Sequence, residues 1–281
     1  MKKTLAACVC VMTWTAAPAW AQQRPLVTED PETIGGGLIL LEGGFDVQRG
    51  IVFPVSGLEG NLLRVPVLGI SLGISSIAEL QIDGGFYNRL TVTSREPAPL
   101  SGQLDFTGDR TSDIEDLVIA TKIRLLSETP SRPALALRFA TRLPNAGNES
   151  GLGLDTTDFF ASSLFGKTIQ SIRVVGNVGL GILGDPTRGD RQNDVLTYGI
   201  SLARAVRQGV EVVGEINGRA DVREGDPPPG TESRAVMRVG GRFTRGTVRI
   251  DGGVLIGMTS RDPSIGFTAG LTYVFRAFNV P

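Results

Sequence analysis

Along most of this chain apolar and polar residues alternate one for one. Over 37–48, Ile39, Leu41, Phe45 and Val47 fall on one face, and Glu42, Asp46 and Gln48 fall on the other. A period of two with one apolar face marks a β-strand whose two sides meet different surroundings. The pattern recurs over 62–73, 77–92, 115–126, 133–143, 156–167, 171–183, 194–205, 209–220, 233–244, 247–258 and 265–275. In 77–92, Leu80, Ile82, Phe86 and Leu90 oppose Glu79, Gln81, Asp83, Tyr87 and Arg89. In 233–244, Ala235, Met237, Val239 and Phe243 oppose Arg234, Arg238 and Arg242.

The gaps between these stretches alternate in length. Ser94 to Ser112, a Gly/Asn segment before Thr156, Gly184 to Gln192 and Asp221 to Glu232 are long and rich in Gly, Pro, Ser and Asp. The gaps near Ser75-Ser76, at Glu128 to Arg132 and at Arg245-Gly246 are short. A transmembrane barrel of the outer-membrane type needs this rhythm: strands of about 10 residues, brief periplasmic turns and longer extracellular loops. The expected fold is all-β, an antiparallel transmembrane β-barrel of about 12 strands, an even number as in bacterial single-chain barrels. A soluble β-sandwich or β-helix would also alternate. It would not keep the long-short loop rhythm along the whole chain, and its wet face would usually carry Ser and Thr rather than mid-strand charge.

The start of the chain predicts export. Lys2 and Lys3 precede a mostly apolar run, Leu5 to Ala17, and Ala19-Trp20-Ala21 is a small-x-small cleavage site. Residues 1–21 therefore read as a signal peptide, with the mature chain starting at Gln22. Leu5-Ala6-Ala7-Cys8 has the form of a lipobox, but almost no apolar region precedes Cys8. Residues 22–36, with Pro25, Pro31 and Gly35-Gly36-Gly37 at their end, form a polar lead-in, and the barrel occupies 37–281. The lead-in is too short for a hatch domain and long enough to enter the lumen. Glu29 and Asp30 are expected to meet lumenal arginines there, as a partial plug. The expected location is the cell outer membrane, with membrane lipid and, during biogenesis, the barrel-assembly machinery as partners.

Composition narrows the chemistry. The chain has no histidine, and both cysteines, Cys8 and Cys10, lie in the signal segment. A mature protein of this kind has no thiolate nucleophile, no disulfide and no imidazole base or ligand. The net charge of −1 gives no basic face for nucleic acid. Past the signal no apolar run approaches the roughly 18 residues of a membrane helix, so a membrane crossing would need a closed barrel that pairs every backbone group.

The polar faces hold Glu42, Asp46, Glu79, Asp83, Lys122, Arg124, Arg138, Arg142, Arg173, Glu211, Glu215, Arg219, Arg234, Arg238, Arg242, Arg249 and Asp251. Facing inward, these side chains meet across a lumen intermediate between a filled small barrel and an open porin. Two readings follow. Arginine pairs bidentately with carboxylates, so the set can form a stiffening lattice. It can also line a pore and select solutes, with Arg234, Arg238, Arg242 and Arg249 favouring anionic ones. The pair Glu211 and Glu215 has the composition of an acid-base couple, but residues four apart on a strand more often share one water or one arginine. Asp185 to Asp190 offers oxygen ligands without the spacing of a Ca²⁺ loop. Gly151-Leu152-Gly153 precedes no strand-to-helix unit that would make it a phosphate loop. No catalytic residue, metal site or cofactor is expected, and the chain does not read as an enzyme.

Arg24-Pro25-Leu26-Val27-Thr28-Glu29-Asp30, followed by a Gly-rich step and a strand reaching Glu42, resembles the opening of a known family: the outer-membrane proteins named for the meta-pathway (MetA-pathway) of phenol degradation. Asp113 to Leu117, Lys122 to Leu126, Pro133 to Pro144 and Gly151 to Asp155 are similar to its later segments. The resemblance spans nearly the whole mature chain through short motifs. It implies an outer-membrane barrel of the transporter kind associated with aromatic catabolism, and it carries over no catalytic residues. Such barrels usually finish on a terminal aromatic; here Phe275 and Phe278 are followed by Asn279, Val280 and Pro281. The expected function is a passive channel for small organic compounds, aromatic and carboxylated ones among them. The alternative is a non-conducting structural or interaction barrel that presents its outer loops to a partner.

Overall fold

A computed structural model describes residues 24–279. The expected signal peptide and cleavage site lie outside the described residues. Fourteen strand segments follow one another: β1 (Leu38–Phe53), β2 (Leu58–Gly73), β3 (Ala78–Gly85), β4 (Asn88–Arg95), β5 (Arg110–Asp113), β6 (Val118–Leu126), β7 (Ala134–Arg142), β8 (Asp158–Ile169), β9 (Ile172–Gly184), β10 (Gln192–Arg207), β11 (Val210–Asp221), β12 (Arg234–Arg245), β13 (Val248–Gly257) and β14 (Ile265–Arg276). A 3₁₀ turn, Ser101–Gln103, lies between β4 and β5. Among the described residues no helix is long and apolar enough to cross a membrane.

The strands form one closed antiparallel sheet. β1 pairs with β2 on one side and with β14 on the other, in register from Leu38 opposite Arg276 to Arg49 opposite Ile265. β2 pairs with β3 over Val67–Gly73 and with β4 over Leu58–Arg64, so β3 and β4 are two segments of one wall position. β5 and β6 continue one another in the same way, on β4 and on β3. With each interrupted pair taken as one, the barrel has 12 strands. Closure removes the unpaired edge that an open sheet would present.

Two local expectations are corrected. The first two expected stretches, 37–48 and 62–73, are too short: β1 runs on to Phe53, β2 begins at Leu58, and only 54–57 turn the chain. Gly50, Pro54, Gly57 and Gly60 hide a continuing alternation in which Ile51, Phe53 and Leu58 pack with Leu62 and Leu90. The second correction concerns faces. Leu90 is fully buried on the inside and Arg89 is exposed on the outside, the reverse of simple alternation from Glu79. Pro66 has no N–H to continue the ladder. Opposite it, the chain breaks at Phe86-Tyr87, between β3 and β4. The pairing with β2 keeps one register across this break, Val67 opposite Gly85 and Arg64 opposite Asn88, so both strands change face together; the odd residue is taken up against β1, with Gly44 opposite Val67 and Asp46 opposite Arg64.

The outward face is apolar around the ring. Phe45, Leu180, Ile200, Val239, Phe267 and Leu271 are among many large hydrophobic side chains left exposed. A continuous apolar band of this kind on a closed barrel is the surface that lipid covers. The inward face carries the charges. The short turns stand at one end, with Gly209 and Gly246 at positive φ in two of them, where a tight hairpin needs a residue without a Cβ. The longer loops stand at the other end.

Candidate functional site: the lumen and its lead-in

The lead-in lies inside the barrel. Counting back from β1, Ile34 N–H donates to Glu79 Oε2 (2.8 Å) beneath the wall of β3. Glu32 pairs with Arg124. Asp30 takes a bidentate hold on Arg173, at 2.9 Å from Nε and 2.7 Å from Nη2. Glu29 reaches Lys122 (3.4 Å) and Arg138 (3.2 Å), and its backbone exchanges two hydrogen bonds with the Asn177 amide. The N–H groups of Val27 and Thr28 donate to the Glu215 carboxylate at 2.8–3.0 Å. Leu26 packs on Ala203 and Val213. Arg24 ends the described path, donating to Thr268 Oγ1 (3.0 Å) and Ala269 O (2.8 Å) with Asp251 at 3.5 Å.

The wall leaves room for this segment. A Cβ added to Gly199 would come within 2.8 Å of Thr28 Oγ1, one on Gly166 within 2.7 Å of Pro31 Cγ, and one on Gly240 within 3.1 Å of Pro25 Cγ. Glycine weakens a strand interior, and close approach of another backbone is a usual reason for it.

The charged residues named from sequence face the lumen, and most of them meet one another. Lys122, 1% exposed, lies 2.9 Å from Glu79 and donates to Asp30 O (3.0 Å). Arg138 donates to Gln81 (2.8 Å), with Asp83 at 3.7 Å. Arg238 bridges Glu215 (2.9 Å) and Asn217 (2.6 Å). Arg242 lies 2.7 Å from Glu211, with Arg249 at 3.8 Å from the same carboxylate. Glu42 accepts from Thr272 (3.2 Å). Arg142 pairs with Asp158, and Asp116 lies 3.8 Å away. Arg219 donates to the backbone carbonyls of Gly230 (2.6 Å) and Glu232 (2.8 Å). Arg234 reaches Val52 O (3.0 Å), Arg261 O (2.9 Å) and Asp262 (3.8 Å). The strip Arg234, Arg238, Arg242 and Arg249 is therefore interleaved with carboxylates rather than lined up bare. Glu211 and Glu215 each serve an arginine. Asp185 is closed on its own turn by Thr187 and Arg188. Among the described residues no acidic group is arranged to hold a metal ion.

Several partners carry no mark in the sequence. Arg64, which pairs with Asp46 (3.1 Å) and with Glu115, lies within β2 two residues before Pro66. Arg24, Glu32, Asp116, Asp158 and Asn177 each need a neighbour distant in sequence to acquire meaning. The mid-strand glycines were the available signal for a second chain segment in the lumen.

The pairs leave free space in two places. A cavity of about 420 Å³ lies over Arg24 to Val27 and Glu29, walled by Glu42, Asp46, Arg64, Asp83, Arg138 and Arg238. A smaller one, about 250 Å³, lies at the loop end between the 54–57 turn, Gly151–Leu154 and Gly230. Asp116 lines both.

At the turn end, outside the membrane-spanning strands, Glu128 ties two turns together. It accepts from the Thr168 N–H (2.8 Å) and hydroxyl (3.2 Å), with Arg173 at 2.5 Å and Lys167 at 3.5 Å. Partial burial pulls its carboxyl upward. The Thr168 hydrogen bonds and the two cations outweigh that and hold it below the ordinary carboxylate range.

Neither a family model nor a curated protein sequence matches the chain. Solved structures do share its architecture. An outer membrane channel from Pseudomonas putida F1 is 11% identical, with 88% of this chain and 98% of that chain covered and a TM-score of 0.63. The NanC porin is 8% identical, with 86% of this chain and 100% of that chain covered and a TM-score of 0.51. At these identities the likeness is one of fold. The protein is a 12-strand β-barrel of the outer-membrane kind.

Proposed function

We propose that the protein is an outer-membrane channel for small organic solutes, with its lead-in acting as a plug seated from the periplasmic side. The observation that carries the reading is the cavity of about 420 Å³ left in the lumen directly over the lead-in. A barrel built only as a structural wall has no need of such a space. The apolar exterior and polar interior support placement in the outer membrane after export through the N-terminal signal. Phe275 and Phe278, at the end of β14 and just beyond, are the residues offered to the assembly machinery. The family resemblance supports solutes of aromatic character, and the arginines Arg234, Arg238, Arg242 and Arg249 support carboxylated ones. No catalytic step belongs to this reading.

The test is conductance of the refolded mature protein in a planar bilayer, alongside a variant lacking residues 24–35. Small or rare steps in the full chain and larger ones in the deletion would match the proposal. Silence from both, with each folded and inserted, would overturn it in favour of an interaction barrel acting through its outer loops. That second reading has an observation of its own: the ion pairs and the lead-in together fill much of the lumen.

A further inference from the structure

At the loop end three guanidiniums converge, and among the described residues only Arg142 of the three has a close carboxylate partner, Asp158. Arg219 on β11 and Arg234 on β12 are direct partners in the ladder, and Arg142 ends β7 across the mouth. All three line the cavity of about 250 Å³. Like charges directly opposite one another on paired strands are destabilising unless something offsets them. Arg219 has no carboxylate at ion-pairing distance among the described residues; its Nε and Nη2 go to backbone carbonyls. Arg234 spends two donors in the same way and has its one carboxylate, Asp262, at 3.8 Å. Arg142 pairs with Asp158 through Nη2, and its Nε, buried with no hydrogen-bond partner, lies 3.8 Å from Asp116 Oδ2. Asp116, the only acidic residue in the lining, already accepts from the N–H groups of Asn145 and Ala146 at 3.0 Å.

Apart from Ser56, whose hydroxyl donates to Gly151 O, the rest of the lining carries no polar side chain. Phe53 ends β1, Pro54 and Val55 come from the β1–β2 turn, and Leu152 and Leu154 from the 143–157 loop. Carbonyl bonds from Arg219 to Gly230 and from Arg234 to Val52 hold the 222–233 loop and the end of β1 beside the guanidiniums. A concave apolar wall with a few converging polar groups is the usual form of a small-molecule site.

We infer that this outer vestibule is a binding site for a small organic monoanion, with its carboxylate on Arg142, Arg219 and Arg234 and its apolar body against Val55, Leu152 and Leu154. The inference rests on the channel reading for its purpose, because a site at the mouth would concentrate solute before passage. Binding in such a site must be favourable enough to capture and weak enough to release.

The experiment is calorimetric titration of the detergent-folded mature protein with benzoate, benzamide and acetate. Benzoate carries both head and body, benzamide lacks the charge, and acetate lacks the body. Benzoate should bind at least about tenfold more tightly than either control. Arg219→Gln should weaken benzoate by a similar factor while heat-modifiable gel migration still reports a folded barrel. Because Arg219 also ties down the 222–233 loop, a second variant, Leu154→Asp, supplies a tethered carboxylate and keeps every arginine; it too should abolish benzoate binding. Equal binding of acetate and benzoate, or benzoate binding unchanged in both variants, would overturn the site. Binding with no conductance would leave the site standing and remove the channel. Conductance with no benzoate binding would do the reverse.

Discussion

Lys122 Nζ stands 2.9 Å from Glu79 Oε1, with both side chains 1% exposed, and the same ammonium reaches Glu29 of the lead-in at 3.4 Å. One cation thus joins two staves of the wall, β3 and β6, to the segment that crosses the lumen. Removing one partner of a buried pair leaves the others charged and desolvated, which costs about 3–5 kcal/mol. Lys122→Met is expected to lower the stability of the detergent-folded barrel by that order in denaturant unfolding. Adding Glu79→Gln to it should recover part of the loss, since the second change removes one of the orphaned charges. An unchanged unfolding midpoint in Lys122→Met would show that the pair is dispensable.

The Glu128 clamp predicts a pH dependence at the turn end. A carboxyl held below its unfolded value stabilises the fold above that value and loses the contribution as pH falls through its folded one. The clamp is therefore complete above the ordinary value of 4.5, persists somewhat below it and releases on further acidification. Protection of the Thr168 amide, its exchange rate relative to that of an unstructured amide at the same pH, should hold down to the ordinary carboxylate value and fall below it. In Glu128→Gln the amide should exchange faster at neutral pH and lose that acid step. A step at higher pH in the native protein would contradict the sign.

Gly199 offers a test of the plug that leaves its sequence untouched. The atoms nearest a Cβ there are Thr28 Oγ1 and Cγ2, with the Asn217 Cβ next at 3.6 Å. Gly199→Val suits a strand by propensity and presents its bulk chiefly to the lead-in. Larger or more frequent conductance steps than in the native protein are expected, together with faster tryptic cleavage after Arg24. A variant that inserts normally and conducts as the native protein does would mean that the lead-in does not control the lumen.

The barrel is legible because its surroundings impose a strict rule: lipid outside and polar contact inside force alternation at every strand. Glu42, Arg138, Glu215 and Asp251 declare their side by that rule alone. Their partners are not legible, because pairing depends on which staves the closed ring brings across from each other. Nothing in the sequence places Asn177 beside Glu29. Gly166, Gly199 and Gly240 carry the trace of the lead-in, yet a glycine in a strand has several meanings until the atom above it is known. Gly50, Pro54 and Gly57 read as loop because they interrupt alternation, whereas the strands continue through or up to them to wall the outer vestibule.

The reversed faces of Arg89 and Leu90 separate the structure from simple alternation. Strict alternation from Glu79 places Arg89 inside and Leu90 outside. The change of face shared by Val65-Pro66 and Phe86-Tyr87 does the opposite and sends Leu90 into the cluster with Leu58 and Leu62. Single cysteines discriminate cleanly, since the mature chain expected from the sequence has none of its own. Arg89→Cys in folded protein should react readily with a membrane-permeant maleimide, and Leu90→Cys should resist it until the barrel is unfolded. Pro66→Val restores the missing N–H and tests the cause. If the proline produces the change of face, adding Pro66→Val should reverse the pattern: the Leu90→Cys thiol becomes reactive and the Arg89→Cys thiol becomes protected. Unaltered labelling in the Pro66→Val background would assign the break to Phe86-Tyr87 instead.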